Sequence, residues 1–144
     1  MLHVKAGKDG KNTMRNQEYN TRLEEINRLA DAIERQRSNL QETAALDAGF
    51  PLKITGIEVD LAVDYLRTMQ EEIPWVENGK PFGTVATIFA YDAPVVMLAK
   101  LGGPALLTGN RLRFSVSSQT PKTAAILAEI CESFKTIDLS LIHI

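Results

Sequence analysis

From Asn20 onward the apolar residues fall into a helical rhythm. Leu23, Ile26, Ala30 and Ile33 recur at three- and four-residue steps, with Glu24, Glu25, Arg28 and Asp31 between them. That is the pattern of a helix with one buried stripe. Ser38 is placed to cap a second segment whose weaker face is Leu40, Ala44 and Ala45, and Gly49 with Pro51 closes it. A third helix is predicted from about Ile57 to Glu71. It draws its buried side from Val59, Ala62, Val63, Leu66 and Met69, and Pro74 ends it. Residues 77–81 read as a turn. Ahead of these helices, residues 1–17 place Gly7 and Gly10 among polar side chains with nothing periodic to bury, which predicts a flexible leader.

After Pro81 the pattern changes. Residues 84–90 are rich in β-branched side chains and carry no charge, as expected of a strand covered on both faces in a parallel sheet. Residues 94–107 are apolar enough for a partly buried helix despite Gly102, Gly103 and Pro104. Gly109 and Asn110 turn the chain, and residues 112–116 read as a second strand. Thr120 as cap and Pro121 at the first position open another helix, which buries Ala124, Ile126, Leu127, Ile130 and Cys131. Residues 137–144 are a last strand. The expected architecture is therefore α/β: helices over 20–73, then strand–helix–strand–helix–strand over 81–144. Short connections of this kind favour right-handed parallel crossovers, giving a partial Rossmann-like, three-layer sheet in one domain spanning 18–144.

Composition narrows the function. The chain has 144 residues, and its 16 basic and 18 acidic residues leave a formal net charge of −2. A near-neutral balance gives no general attraction to nucleic acid or to an anionic membrane. The most basic stretch, with Lys5, Lys8, Lys11 and Arg15, reads as part of the solvated leader. One cysteine, Cys131, excludes an intrachain disulfide and fits a reducing, cytoplasmic setting. No apolar run reaches the length of a membrane span, and the N-terminus lacks the apolar block of a secretory signal. His3 and His143 stand at opposite ends with no partners at ligand spacing, so no metal site is expected. Cys131 lies on an apolar helix face, where a thiol is ordinarily inert. Glu71 and Glu72 read as a solvated helix end, and Trp75 as a packing residue.

In an open parallel sheet, ligands bind beyond the carboxyl ends of the strands. Two such ends are visible, at residues 90–94 and 115–119. Both lead into helix N-termini, where backbone N–H groups favour an anion. Capping and turning alone would account for these residues equally well, and there is neither a G-x-G-x-x-G motif nor a P-loop.

Several ordered motifs add to this. Pro81, Gly83 and Val85, followed by Ile88-Phe89-Ala90-Tyr91-Asp92-Ala93-Pro94, resemble the aldehyde dehydrogenase segment that reads Pro-x-Gly-Val and then Pro-Trp-Asn-Phe-Pro. Residues 104–110 resemble that family's Pro-Ala-Leu-Ala-x-Gly-Asn. Ser117-Ser118-Gln119-Thr120-Pro121 stands where the family reads Ser-Glu-Gln-Thr-Pro, with the spacings kept. Upstream, residues 22–49 are similar to its Arg-rich helical pair. The resemblance covers about residues 20–132.

The resemblance implies the N-terminal, NAD(P)-binding part of an aldehyde oxidoreductase. The family's Asn that donates to the substrate oxyanion is matched here by Asp92, and a carboxylate repels an oxyanion. The family's ribose-binding Lys and Glu are matched by Ser115 and Ser118. Ile88, Phe89, Ala90 and Tyr91 would line the adenosine side of the groove. NAD or NADP binding is thus expected to be weak or absent. The family's catalytic Cys and Glu lie downstream of the matched region, so catalysis by this chain alone is not expected. A non-catalytic oligomerising or partner-binding protein derived from the same fold is the alternative, and completion by a separate chain is a third reading. An apolar last strand at 137–144 predicts a homo-oligomer, a dimer or larger, formed through that strand.

Overall fold

The computed structural model describes residues 6–139. Three helices lead: α1 (Ala6–Arg35), α2 (Arg37–Ala48) and α3 (Leu52–Arg67). A 3₁₀ turn (Met69–Glu72) and the short α4 (Ile73–Val76) follow. Then come β1 (Thr84–Ile88), α5 (Pro94–Met97), a π-helical turn (Leu98–Gly102), α6 (Gly103–Leu107), β2 (Arg111–Ser115), α7 (Pro121–Cys131) and β3 (Ile137–Leu139). The strands form one parallel sheet in the order β1-β2-β3. Val85 pairs with Leu112 and Ile88 with Ser115; on the other side of β2, Leu112 pairs with Ile137.

The core lies between the helices and one face of the sheet. Ile26, Leu29 and Ile33 of α1, Leu40 of α2 and Val59, Leu66 of α3 are fully or almost fully buried. They meet Leu98, Leu107, Leu112, Phe114 and Leu127 in one cluster. Two glycines let the segment from Pro94 to Leu107 approach closely. A Cβ on Gly102 would stand 2.8 Å from Leu112 Cδ2, and one on Gly103 would stand 2.4 Å from Met69 Cε. The apparent breakers in that helix are therefore contact points.

Several expectations are corrected. The first helix begins at Ala6, inside the segment read as a leader, and not near Asn20. Among the described side chains its first buried one is Tyr19, and the sequence of its early turns carries no apolar stripe to read. Ser38 caps nothing: only Gln36 separates α1 from α2, and no side chain caps α2. Pro74 sits in the first turn of α4 and starts it, consistent with the ring's tolerance there. Trp75, expected to pack, is 84% exposed on that short turn. The sequence predicts β1 covered on both faces, but Thr84, Ala86 and Ile88 are exposed, as are Arg111 and Arg113 beside them. On the same face Ser115, the partner of Ile88, is buried, so the exposure does not extend to the end of β2. Gly49 closes α2 as expected, in the left-handed conformation at φ 74°. Of the strand expected at 137–144, Ile137–Leu139 is strand; residues 140–144, with Leu141, Ile142, His143 and Ile144, lie outside the described residues, as does His3.

Candidate functional site

The candidate site is the pair of strand ends where β1 and β2 lie side by side. Phe89 N donates to Ser115 O at 2.9 Å, extending the ladder one residue beyond β1. Phe89 itself turns inward: its ring is buried and stacks on Phe114 with centroids 4.7 Å apart. Only its backbone reaches the groove. Ile88 (67% exposed) and Tyr91 (45% exposed) are open to solvent, and so are Ala90 and Asp92. Across from them Ser115 is buried, 5% exposed, whereas Ser118 is exposed at the tip of the next loop. The structure thus brings Ile88, Ala90, Tyr91, Asp92 and Ser118 to one end of the sheet. It puts the Phe89 ring and the body of Ser115 beneath it.

Each strand end runs into a helix whose first turn is already partnered. Glu58 of α3 is buried, and its Oε1 accepts from Val95 N at 2.8 Å and Val96 N at 3.2 Å. Burial raises the Glu58 carboxyl above the ordinary range; the Val96 and Val95 amides oppose that, and the charge of Asp92 adds to it. Asp47 of α2 does the same at α7: its Oδ2 accepts from Thr123 N at 2.8 Å and Thr123 Oγ1 at 3.0 Å. Thr120, expected as the cap of α7, makes no capping bond, and its hydroxyl donates to Ser117 O at 3.3 Å. The amides of Val95, Val96 and Thr123, in the helix starts expected to favour an external anion, are therefore taken by the protein's own carboxylates.

The far ends of the same segments are met by cations. Arg22 Nη1 donates to Leu107 O at 3.2 Å, at the last residue of α6. Arg28 Nη2 donates to Ser133 O at 3.5 Å, just past α7, with its guanidinium 5.1 Å from the Phe134 ring centroid. Helices α1–α3 thus place a carboxylate at the start and a guanidinium at the end of both crossover segments, matching the polarity of aligned peptide dipoles.

Sequence reasoning missed Glu58 and Asp47 as groove-framing residues. Glu58 left a trace, being a charge beside Val59 and Ala62 on the buried side of α3. Asp47 left none, because its partner lies 76 residues away. Cys131 is buried, and burial pushes its thiol up to about 12. Among the described residues no group of three or more His, Cys, Asp and Glu could hold a metal ion. None of the described helices is long and apolar enough to cross a membrane.

A parallel sheet of consecutive neighbouring strands joined by helical crossovers defines an α/β protein. The chain belongs to the aldehyde dehydrogenase family, whose model matches residues 2–136. It is 28% identical over 142 residues to the lactaldehyde dehydrogenase of Methanococcus maripaludis strain C5, covering 90% of this chain and 30% of that protein. It is 35% identical over 122 residues to the mitochondrial aldehyde dehydrogenase of Sus scrofa, covering 73% of this chain and 23% of that protein. Among solved structures it is similar to the glyceraldehyde-3-phosphate dehydrogenase of Methanocaldococcus jannaschii, determined with NADP. That likeness has a TM-score of 0.73 and 21% identity, covering 91% of this chain and 33% of that one. An aldehyde dehydrogenase of Pseudomonas aeruginosa gives a TM-score of 0.73 at 26% identity, covering 84% and 28%. The chain spans a third or less of the length of these relatives.

Proposed function

We propose that these residues form the adenosine side of an aldehyde dehydrogenase NAD(P) groove, and that this chain on its own binds the nucleotide weakly and does not oxidise aldehydes. The observation that carries the reading is the pairing of Ile88 with Ser115 at the carboxyl ends of adjacent parallel strands, with Ala90, Tyr91 and Ser118 exposed beside it. An exposed aromatic and an apolar strand end offer a surface for an adenine ring. Ser118 and the buried Ser115 are too short and too uncharged to supply the charge-assisted bonds of a Lys and a Glu. Each lost bond of that kind is worth about 1.5–3 kcal/mol, so losing two weakens binding by at least about a hundredfold. Asp92 in the loop supplies a negative charge where an oxyanion would need a donor, and the Cys131 thiol is buried with its ionisation suppressed. Calorimetric titration of the chain with NAD and with NADP tests this: weak or undetectable binding is expected, and a micromolar Kd for either would overturn it.

The second reading is self-association. It is favoured by the exposed Thr84, Ala86 and Ile88 along one face of β1 and by the edge of β1, an uncharged strand with no described strand beyond it. Assembly through the strand at 137–144 belongs to this reading. Sedimentation equilibrium tests it: a dimer or larger species at micromolar concentration is expected, and a stable monomer excludes it.

A further inference from the structure

We propose that the α2–α3 hairpin is a clamp that sets the two groove loops, residues 89–93 and 116–120, in fixed relation to each other, with Glu58 and Asp47 as its positioning residues. The meaning of these loops as groove walls rests on the nucleotide reading above; the clamp itself does not.

The first observation is that both carboxylates come from one hairpin. Asp47 is one residue from the end of α2, and Glu58 lies in the second turn of α3. The second is that the hairpin is cross-braced over its length. Arg37 grips Asp60 through two bonds, Nε to Oδ1 at 2.6 Å and Nη2 to Oδ2 at 2.7 Å. Gln41 Nε2 donates to Leu52 O at 2.8 Å, and Thr55 Oγ1 donates to Gln41 O at 2.8 Å. The third is that each carboxylate holds the residue that ends a loop's freedom. Glu58 fixes Val95 and Val96, directly after Ala93, whose carbonyl accepts from Met97 N at 3.1 Å. Asp47 fixes Thr123 by backbone and side chain, three residues after the Thr120 turn. The loops are also tied at their strand ends by the Phe89 N to Ser115 O bond.

A cap that served only its own helix would need no such linkage. Two caps on one braced pair of helices move together, so a displacement at one loop is carried to the other. The neutral replacements Glu58→Gln and Asp47→Asn would still accept from the same amides, because the accepting oxygen is retained. Alanine would not, and the freed amides would be left without a partner.

The test is amide exchange and backbone resonance mapping on the 144-residue chain carrying E58A, E58Q, D47A or D47N, without nucleotide. The expected result for E58A is at least about tenfold faster exchange at Val95 and Val96, the exchange equivalent of about 1.4 kcal/mol. Its resonance shifts should appear in both loops, at Tyr91 and Asp92 and also at Ser117 and Ser118. D47A should speed exchange at Thr123 and shift the same two loops, and E58Q and D47N should restore both patterns. Shifts confined to the mutated helix's own loop would overturn the clamp, as would Gln and Asn variants that behave like alanine. Should an alanine variant unfold, E58D and D47E keep the charge and change its reach by one methylene. They should still shift both loops, and a one-loop response from them overturns the proposal equally. Millimolar ADP-ribose added to the unaltered chain is read separately: resonance shifts confined to residues away from Tyr91 and Ser118 would sink the nucleotide reading and leave the clamp standing.

Discussion

Asn110 holds the entry of β1 in place through Gly83. Its Oδ1 accepts from Gly83 N at 3.0 Å and Phe82 N at 2.6 Å, while its Nδ2 donates to Thr108 Oγ1 at 2.8 Å. Arg111 N then donates to Gly83 O at 2.8 Å, so the β1–β2 ladder starts beside this side chain. Gly83 meets it with φ at 108°, a backbone state that an L side chain rarely adopts. The motif residues Gly83 and Asn110 therefore act here as fold-setting residues at the amino ends of β1 and β2, away from the carboxyl ends that form the candidate site.

Replacing Asn110 with alanine should lower stability by roughly 2–3 kcal/mol, because two backbone amides lose their acceptor in a part-buried place. Asn110→Asp should recover only part of that loss, since it keeps an acceptor but gives up the donation to Thr108 and buries a charge. Urea unfolding followed by circular dichroism checks the order: wild type, then Asp, then Ala. An alanine variant as stable as wild type would show that the Gly83 contact contributes nothing.

Glu58 gives a pH-dependent prediction with a definite sign. Its carboxyl ionises above the ordinary range in the fold because burial disfavours the charge. The contribution of such a group is fully present below its unfolded value and is lost as pH rises through the folded one. Glu58→Gln should therefore gain stability relative to wild type as pH rises above the ordinary Glu value of 4.5. Glu58→Ala should be less stable than both at neutral pH, since Val95 and Val96 lose their acceptor. Thermal unfolding of the three proteins across that range measures it. A wild type that strengthens relative to the Gln variant as pH rises would reverse the assignment.

How far the sequence carried depended on whether an element's buried side could be seen locally. The stripes of α3 and α7 were legible because Val59, Ala62, Leu66 and Ala124, Leu127, Ile130 repeat at helical spacing and are buried as that spacing requires. The three parallel strands followed from short extended runs, β-branched chiefly in the first, separated by helix-length segments. The early part of α1 was not legible, because residues 6–17 carry no apolar repeat from which a helical period could be read. The exposure of Thr84, Ala86 and Ile88 was not legible either: a run such as Thr84–Ile88 carries no charge whether one face is covered or two. At the site, the motif order pointed to the ends of β1 and β2, but the side-chain directions of Phe89 and Ser115 depend on strand register, which no local pattern fixes. The caps from Asp47 and Glu58 are long-range, and chain spacing says nothing of them.

Gly102 supplies a packing test. A Cβ there would stand 2.8 Å from Leu112 Cδ2, and Leu112 is fully buried. Gly102→Ala gains up to about 1 kcal/mol in helix preference but must displace a core side chain, and overpacking of that kind typically costs about 1–3 kcal/mol. Net destabilisation is expected, and Leu112→Val should relieve part of it. A double-mutant cycle by chemical denaturation reads this as coupling: Gly102→Ala should cost less in the Leu112→Val background than in wild type. Strict additivity would show that the helix and β2 yield freely at this contact.

Cys131 provides the last prediction. It is buried on α7 near Leu127 and Ile130, and burial alone pushes its thiol up to about 12. In the folded chain it should react with a thiol reagent such as dithionitrobenzoate far more slowly than in the unfolded chain, because thiolate is scarce and access is blocked. The same shift fixes an alkaline dependence. A thiol whose folded value is raised contributes stability that is present below the unfolded value, near 9, and lost as pH climbs toward 12. Across that window each pH unit should remove about 1.4 kcal/mol relative to a non-ionising residue. Cys131→Ala is the reference: it removes the ionisation at the cost of a small cavity, so it should start less stable at about pH 8 and converge on wild type, or pass it, by about pH 11. Parallel difference curves, or rapid modification of the native thiol, would show that Cys131 is accessible and would reopen it as a reactive group.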